Sequence, residues 1–193
     1  LYEEDLQDEE SSNISVTVTG GTYEGDVESE NVTGFISGGT FSGEVNTDYV
    51  ASGSVIYSEE GSNVICTEEA AITAGAVAKV GDTAYKTMQD AFTAAEEGDT
   101  VYVLKDRIDW MPSAQEIDAN ITIDLGDHAS KAARGFSIYL KIAAGKTVTI
   151  QNGTFDGKGI KAIAGGEGAA VVIQNVKIDA KDVIAPALQI GSA

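Results

Sequence analysis

Short runs in which apolar and polar residues alternate recur along this chain. Ile14, Val16 and Val18 alternate with serine and threonine, a period of two that predicts a half-buried β-strand. Further β-branched runs start at positions 101, 121, 148 and 171, so their spacings are 20, 27 and 23 residues. Repetition at such spacings is typical of coiled architectures, in which each turn of the coil stacks on the one before it.

A glycine-rich phrase follows several of these runs. Gly-Gly-Thr-Tyr at 20–23 and Gly-Gly-Thr-Phe at 38–41 lie 18 residues apart, and Asn-Gly-Thr-Phe at 152–155 repeats the pattern. Tyr23 and Phe41 therefore fall at equivalent positions, and we expect their rings to stack on adjacent turns of the coil.

The last two β-branched runs share a longer phrase. Ile-Gln-Asn at 150–152 matches Ile-Gln-Asn at 173–175. Asparagine at a matched position predicts a stacked ladder of side-chain amides along the coil axis. Between the runs, residues 106–117 and 126–146 show no clear period, and we expect irregular excursions there.

Two hairpins interrupt the repeated runs. Apolar runs at 55–57 and 64–65 surround one glycine-containing turn, and runs at 77–80 and 83–85 surround a second. Apolar runs on both sides of a short glycine turn predict β-hairpins.

One short helix is predicted at about residues 87–97. Thr87 is the expected N-cap, Asp90 takes the capping-box position, and Gly98 is the expected residue after the C-terminus. The apolar stripe that would face the core comprises Met88, Ala91, Phe92 and Ala95.

The negative charge of the chain is concentrated in its N-terminal part. The net charge is −19, and residues 1–78 hold 16 acidic residues and no lysine or arginine. An acidic surface repels phosphate backbones, which argues against a nucleic-acid partner. We interpret the excess as a solvated surface. Carboxylates that bind calcium are the alternative, so calcium is the one cofactor that the sequence leaves open.

Two further classes of structure are excluded by simple counts. The chain has no run of 18 apolar residues, so we predict no membrane span. Its single cysteine, Cys66, excludes an internal disulfide and offers no cluster of metal ligands.

These patterns divide the chain into four segments. Residues 1–13 form an acidic tail, and residues 14–66 form stacked turns closed by a hairpin. Residues 67–78 have weak periodicity and are predicted to be a linker. Residues 79–193 begin with a capping hairpin and helix, after which the stacked turns resume.

The second half of the chain resembles a known family. Its order is Val-Gly-Asp-Thr-Ala-Tyr at 80–85, a helix, Gly-Asp-Thr-Val-Tyr-Val-Leu at 98–104, Ile-Thr-Ile-Asp-Leu at 121–125 and the phrase at 147–155. This order resembles the repeat unit of secreted and surface proteins from gut-type bacteria with the pectate-lyase-like fold. The resemblance implies an all-β, right-handed parallel β-helix (a solenoid) with a capping hairpin and one short helix, and an extracellular or cell-surface location.

The two halves resemble different parts of that repeat unit. Residues 14–66 resemble the end of one unit, and residues 79–193 resemble the start of another. An uncapped coil end exposes strand edges and apolar core. Three arrangements satisfy this requirement: a longer parent protein, completion of one molecule by another, or extension of the coil within one chain. The second arrangement predicts end-to-end self-association.

The candidate residues for catalysis are scattered along the sequence. Enzymes of the resembled family use clustered aspartates for calcium and a basic residue for proton abstraction. The candidates here fall in or beside one excursion and at no matched positions: Asp124, Asp127, His128, Lys131 and Arg134. Gly126-Asp127-His128 also departs from the expected Asn-Gly-His, and we interpret it as a turn with a satisfied histidine. We therefore assign no catalytic residue and no metal ligand.

The predicted function is a non-catalytic, structural or adhesive module of a secreted or cell-surface protein. Trp110 and Tyr139 lie in the excursions, where their rings can stack on the faces of sugars or fold back onto the core. The expected partner is a polysaccharide or a host or cell-surface ligand. The alternative function is a calcium-dependent polysaccharide lyase or a glycoside hydrolase of the pectate-lyase-like class.

Overall fold

The chain is mostly β-strand where its structure is described. The computed structural model describes residues 15–59, 61–106, 116–131, 138–156, 160–164, 167–179 and 188–192. The acidic tail at 1–13 lies outside these ranges. The strands form an 11-stranded sheet, in which most neighbours are parallel, and a four-stranded sheet. Within the described residues, no helix is long and apolar enough to cross a membrane.

Six described strands lie before residue 88, and all belong to the large sheet. They are β1 (Val18–Tyr23), β2 (Ile36–Phe41), β3 (Ser54–Glu59), β4 (Ser62–Thr67), β5 (Ala78–Val80) and β6 (Thr83–Tyr85). Strands β1 and β2 are parallel, and a single 3-10 turn follows them at Thr47–Tyr49. Strands β3 and β4 form one antiparallel hairpin and β5 and β6 another, so both predicted hairpins are confirmed.

Nine described strands follow residue 95, five of them in the large sheet and four in the small sheet. They are β7 (Thr100–Val103), β8 (Glu116–Ile117), β9 (Ile121–Asp124), β10 (Ala129–Lys131), β11 (Ile138–Ile142), β12 (Thr147–Asp156), β13 (Ile160–Ala164), β14 (Ala170–Asp179) and β15 (Leu188–Ser192). Strands β7, β9, β12 and β14 are parallel neighbours in the large sheet. Strands β8, β11, β13 and β15 are parallel neighbours in the small sheet.

The segments that were expected to be irregular contain three of these strands. Strand β8 lies within 106–117, and β10 and β11 lie within 126–146. The signal of β11 was present, because Ile138, Leu140 and Ile142 alternate with polar residues. The prediction of plain excursions was wrong because β8, β10 and β11 have only two, three and five residues.

The register of the parallel strands follows the repeated sequence phrases. Val148 pairs with Ile121 on one side and with Val171 on the other, as the spacing predicted. Strand β7 is offset, because Val101 pairs with Ile123 rather than with Ile121. The offset is two residues, which keeps the same side chains on the core face because the side-chain period of a strand is two.

The aromatic residues of the first two phrases stack as predicted. Tyr23 and Phe41 are register partners, and their ring centroids lie 4.8 Å apart at an interplanar angle of 10°. Phe41 is only 1% exposed, whereas Tyr23 is 39% exposed because β1 is the outer strand. The Phe41 ring is therefore buried in the protein, whereas the Tyr23 ring is partly exposed to solvent.

The strands that lie before and after residues 68–74 belong to one sheet. Ile56 and Tyr57 of β3 pair in parallel with Thr83 and Ala84 of β6. The large sheet thus runs without a break from β1 to β14 within a single chain.

The segment predicted to be a linker contains a helix, α1 (Glu68–Ala74), so the prediction of a single helix was wrong. Thr67 caps it by accepting a hydrogen bond from the backbone N–H of Ala70 at 3.3 Å. The Tyr57 hydroxyl donates to the carbonyl of Ala74 at 2.8 Å and fixes the other end. The apolar period was weak because only Ala71 of this helix is buried.

The second helix, α2 (Met88–Ala94), has the predicted N-cap. The Thr87 hydroxyl oxygen accepts a hydrogen bond from the backbone N–H of Asp90 at 3.0 Å, and the hydroxyl donates to the Asp90 carboxylate at 2.6 Å. The N-cap half of the capping box is therefore present, and the Asp90 carboxylate contacts the Thr87 hydroxyl.

The C-terminal end of α2 lies earlier than predicted. The last helical residue is Ala94, and the C-cap is Ala95, which is extended with φ −72° and ψ 130°, rather than Gly98. A separate turn follows, in which the Asp99 carboxylate accepts a hydrogen bond from the backbone N–H of Glu96 at 2.8 Å. Gly98 has φ +91° within this turn.

The main core lies where the two sheets and α2 meet. Apolar side chains of the large sheet and of the small sheet belong to one continuous buried cluster. Its fully buried members, with no exposed surface, include Val101, Ile123, Leu125, Ile142, Val148, Ile150 and Phe155. The alternating apolar positions of the sequence thus form rows that run across neighbouring strands.

A polar network joins the starts of three successive strands. The Glu97 carboxylate accepts hydrogen bonds from the backbone and side chain of Asn120 and from the Lys146 ammonium group at 3.1 Å. Asn120 in turn accepts a hydrogen bond from the backbone N–H of Thr147 at 2.7 Å. The hydrogen bonds from the Asn120 backbone and side chain, followed by those from Lys146, lower the pKa of Glu97 from 4.5 to about 2.

We expect Glu97→Gln to remove a pH-dependent part of the stability. Because the folded-state pKa of Glu97 is depressed, its contribution is complete above pH of about 4.5 and disappears as the pH falls to about 2. The difference in melting temperature between the wild type and the variant should therefore be largest at pH 6 and vanish near pH 2. Thermal unfolding followed by circular dichroism across this range measures it. A difference that does not change with pH contradicts the assignment.

Candidate binding site

Three residues with left-handed backbone bend neighbouring strands at the same place. Asp127, Asn152 and Asn175 have φ values of 65°, 57° and 50°. Asparagine and aspartate tolerate this conformation better than other residues with a Cβ atom. Asn152 lies within β12 and Asn175 within β14, so the bends stack and form one corner of the large sheet.

A ladder of polar side chains runs along this corner, and the predicted asparagine ladder is confirmed. The Asn175 amide donates to the Asn152 side-chain oxygen at 3.1 Å, and the Asn152 amide donates to the Asp124 carboxylate at 2.9 Å. Gln151 donates to the same carboxylate oxygen at 2.7 Å. Asp124 therefore terminates the ladder on the strand before the asparagines.

The Asp124 carboxylate is held by protein donors. Partial burial on its own would raise the pKa of Asp124, but hydrogen bonds from Gln151, from the backbone N–H of Gly126 and from Asn152 outweigh it. The net pKa lies below the ordinary value of 3.8. This aspartate is thus a structural acceptor that remains ionised near neutral pH.

We expect Asn152→Ala to destabilise the corner more than Asn152→Gly. Both variants lose the hydrogen bonds to Asp124 and Asn175, but only alanine places a Cβ atom without a side-chain partner in a left-handed conformation. Alanine should lower the free energy of unfolding by about 2 kcal/mol, and glycine by about half of that. Urea titrations of the three proteins measure the difference. Equal losses would show that the backbone conformation carries no cost.

An open groove lies beside the ladder. Its volume is about 460 Å³, and it is mostly polar. The lining residues are Asp127, Gly153, Thr154, Asn175, Val176 and Lys177. The lining residues therefore include an aspartate, a threonine, an asparagine and a lysine, whose ammonium group lies 3.8 Å from the Asp179 carboxylate.

His128 lies next to the groove and is engaged by another residue. Its Nδ1 atom lies 3.2 Å from the Asp106 carboxylate, which also accepts the backbone N–H of Ala129 at 2.8 Å. Asp127 occupies a turn, in which its backbone N–H donates to the carbonyl of Asn152 at 2.8 Å. Asp127 and His128 are therefore neighbours in the sequence that have different partners.

The other sequence-predicted residues are placed only in part. Trp110 and Arg134 lie outside the described residues. Tyr139 lies in β11 opposite Lys161, and Lys131 ends β10 opposite Asp156, in each case as positions of the backbone. The two predicted binding aromatics, Trp110 and Tyr139, therefore remain a prediction.

Metal-ligating side chains are dispersed in the described part of the chain. No group of three or more His, Cys, Asp or Glu side chains is placed there to hold a metal ion. Asp124 and Asp127, which the sequence brought together, contact different partners: Asp124 binds the ladder, and Asp127 lines the groove.

Two residues at this corner were missed by sequence reasoning. Asp106 lies 22 positions before His128, and no motif joins them. Lys177 had a usable signal, because it occupies the position of Thr154 in the matched phrase and is its register partner. A search for positions at which the two matched phrases differ would have found Lys177.

Comparison with known proteins assigns no family to this chain: no family model, curated protein or solved structure matches it.

Proposed function

We propose that this chain is a right-handed parallel β-helix module of a secreted or cell-surface protein, structural or adhesive in role and without catalytic activity. The observation that carries the proposal is that the chain changes sheet at every step from β10 to β15, with parallel pairing between neighbouring strands of each sheet. A chain that visits each of two parallel sheets in turn, in register with its previous visit, advances as a coil.

The side chains that stack on successive turns support a structural role. The apolar row through Ile123, Ile150 and Ile173 continues across three strands, and the amide ladder runs beside it. In stacked architectures each repeat contacts only its neighbours, which gives a rigid body with a long lateral surface. Such a body is suited to hold a binding surface away from a cell.

The chemistry of the groove supports a polyhydroxylated ligand. Sugar hydroxyl groups both donate and accept hydrogen bonds, and the groove offers the Asp127 carboxylate as an acceptor, the Lys177 ammonium group as a donor and the Thr154 hydroxyl as both. The lining residues come from β12, from β14 and from the turn at Asp127, so we propose a polysaccharide chain that spans these neighbouring strands as the ligand. Trp110 and Tyr139 are the proposed aromatic contacts.

The engagement of Asp124 argues against its use as a general base in a lyase or a hydrolase. Both of its carboxylate oxygen atoms accept hydrogen bonds from the protein. A general base needs a free position within hydrogen-bond reach of the proton that it abstracts.

Binding and turnover are tested on the same samples. A panel of neutral and acidic polysaccharides is titrated by calorimetry, and polygalacturonate with calcium is followed for the absorbance of unsaturated uronate. We expect binding to at least one polysaccharide without any growth in absorbance. Growth in absorbance overturns the non-catalytic assignment, and the absence of binding to every polysaccharide overturns the adhesive one.

A matched pair of variants tests the groove. Asp127→Asn removes the carboxylate charge but keeps a residue that tolerates φ of 65°. Asp82→Asn makes the same change at the β5–β6 turn, away from the groove. We expect the first variant to weaken polysaccharide binding about tenfold and the second to leave it unchanged.

A further inference from the structure

The two outer strands of the large sheet run in the same direction. Strand β1 is parallel to β2, and the pairings along the sheet return β14 to that direction. Among the described residues, β1 pairs only with β2, and β14 pairs only with β12. In the described part of the chain each outer strand therefore presents one open edge, and the two edges lie at opposite ends of the sheet.

At both ends of the sheet, apolar side chains of the outer strand are incompletely buried. Val148 and Ile150 of β12 are fully buried, whereas their partners Val171 and Ile173 of β14 are only partly buried. The same contrast exists at the other end, between buried Phe41 and exposed Tyr23. A further strand at either edge would complete the burial of these rows.

We propose that β14 of one copy of this chain pairs in parallel with β1 of a second copy, which produces an open head-to-tail assembly. Alignment of the repeated phrases fixes the register of this pairing. It places Ile173 opposite Val18, Lys177 opposite Thr22 and Ile178 opposite Tyr23. An interface between two different surfaces of identical subunits forms rings or filaments, and two parallel edges on opposite ends favour a filament.

At both edges, the residues whose backbone N–H and C=O groups point outward are the ones that this register requires. The backbone N–H of Val18 donates to Phe35 at 2.8 Å, and that of Ala170 donates to Lys146 at 2.9 Å, so both residues face inward. Successive residues of a strand direct their backbone groups to opposite sides. Thr17 and Thr19 of one copy and Val171 and Ile173 of the other therefore face outward, where the proposed register requires donors and acceptors.

Charge favours the opposite end of a second copy over the same end. Residues 1–78 carry a net charge of −16, whereas residues 138–193 hold six lysines and four acidic residues. Two β1 ends would bring like charges together, but a β1 end and a β14 end attract each other. Lys177, whose side chain is 70% exposed, would lie diagonally across from Glu24. Asp179 would lie opposite Glu24, and the nearby Lys177 offsets that repulsion.

Sedimentation velocity with edge-blocked variants tests the proposal. Thr17→Pro and Val171→Pro each remove an outward N–H, and proline is tolerated at such positions of edge strands. We expect the wild type to grow beyond a dimer as its concentration rises, and each variant to remain monomeric alone. In an equimolar mixture, the intact β14 edge of the Thr17→Pro variant can pair with the intact β1 edge of the Val171→Pro variant. The mixture should therefore form a 1:1 dimer and nothing larger, because the other edge of each variant is blocked. A wild type that is monomeric at every concentration, or a mixture that stays monomeric, overturns the proposal.

A charge-reversal pair covers the case in which a proline variant fails to fold, as judged by circular dichroism. Lys177→Glu changes an exposed residue of the outer strand, and Lys141→Glu makes the same change within β11 between β8 and β13. We expect the first to raise the dissociation constant for self-association about tenfold and the second to leave it unchanged. Equal effects of the two variants overturn the proposed interface. This readout is separate from polysaccharide binding, so either proposal can fail without the other.

Discussion

Phe155→Ala is expected to lower the free energy of unfolding by about 3–5 kcal/mol. Phe155 ends the repeated phrase at 152–155, and its side chain is fully buried in the core between the two sheets. Removal of the ring forfeits its apolar burial and leaves a cavity that the neighbouring strands can only partly fill. For a chain of this length the melting temperature should fall by between about 6 and 20 °C.

Ile178→Ala is the matched control for Phe155. Ile178 is the register partner of Phe155 on the next strand, β14, and it is only partly buried. Because the outer strand leaves part of this side chain in water, its truncation should cost clearly less, about 1–2 kcal/mol. Urea unfolding of both variants measures the contrast. Equal losses would mean that β14 is not the outer strand in solution.

Gly153→Ala is expected to destabilise the protein by about 1–3 kcal/mol, through overpacking rather than through a cavity. A Cβ atom on Gly153 would overlap the Cβ atom of Leu125, and it would lie 2.9 Å from the Leu125 Cδ1 atom and 2.9 Å from the carbonyl oxygen of His128. Leu125 is fully buried and cannot move aside without shifting the core. The glycine is thus required by the close approach of two neighbouring strands.

Gly20→Ala is the control for this effect. Gly20 also lies within a repeated phrase, but a Cβ atom there has no neighbour within 4 Å, and its backbone is outside the left-handed region. We expect no loss, or a gain of about 0.5 kcal/mol from the reduced entropy of the unfolded chain. If both alanine variants lose the same stability, the steric explanation for Gly153 is wrong.

The parts of the fold that sequence reasoning predicted correctly are those with a local or self-matching signal. The two hairpins combine apolar runs with glycine turns, and the Tyr23–Phe41 stack and the Asn152–Asn175 contact follow from repeated phrases. Helix α2 has the predicted N-cap, Thr87. In each case the residues that interact are either close in sequence or occupy matched positions of a repeated phrase.

The parts that were missed depend on contacts that no repeat reveals. Helix α1 buries only Ala71, so its apolar period is too weak to read. Strand β8 has two residues, which is too short for any alternation. The Asp106–His128 contact depends on how far the chain advances between β7 and β10. These features are set by the packing of the two sheets rather than by local preference.

The two proposed contact surfaces lie on different parts of the molecule. The groove lies on the side of the sheet, along the corner made by Asn152 and Asn175. The β1 and β14 edges lie at its ends. A head-to-tail assembly would therefore align the grooves of successive copies and increase the avidity for a long polysaccharide.

The continuity of the large sheet within one chain is tested most directly by a distance between spin labels on its two outer strands. Thr19→Cys in β1 and Gln174→Cys in β14 are exposed positions, and Cys66→Ser removes the half-buried native thiol. Dilution with unlabelled protein suppresses distances between molecules. Nine strand-to-strand steps separate β1 from β14, which predicts a single main distance of about 43 Å at about 4.8 Å per step. A main distance of less than about 30 Å, or a broad distribution without a maximum, would contradict one continuous sheet.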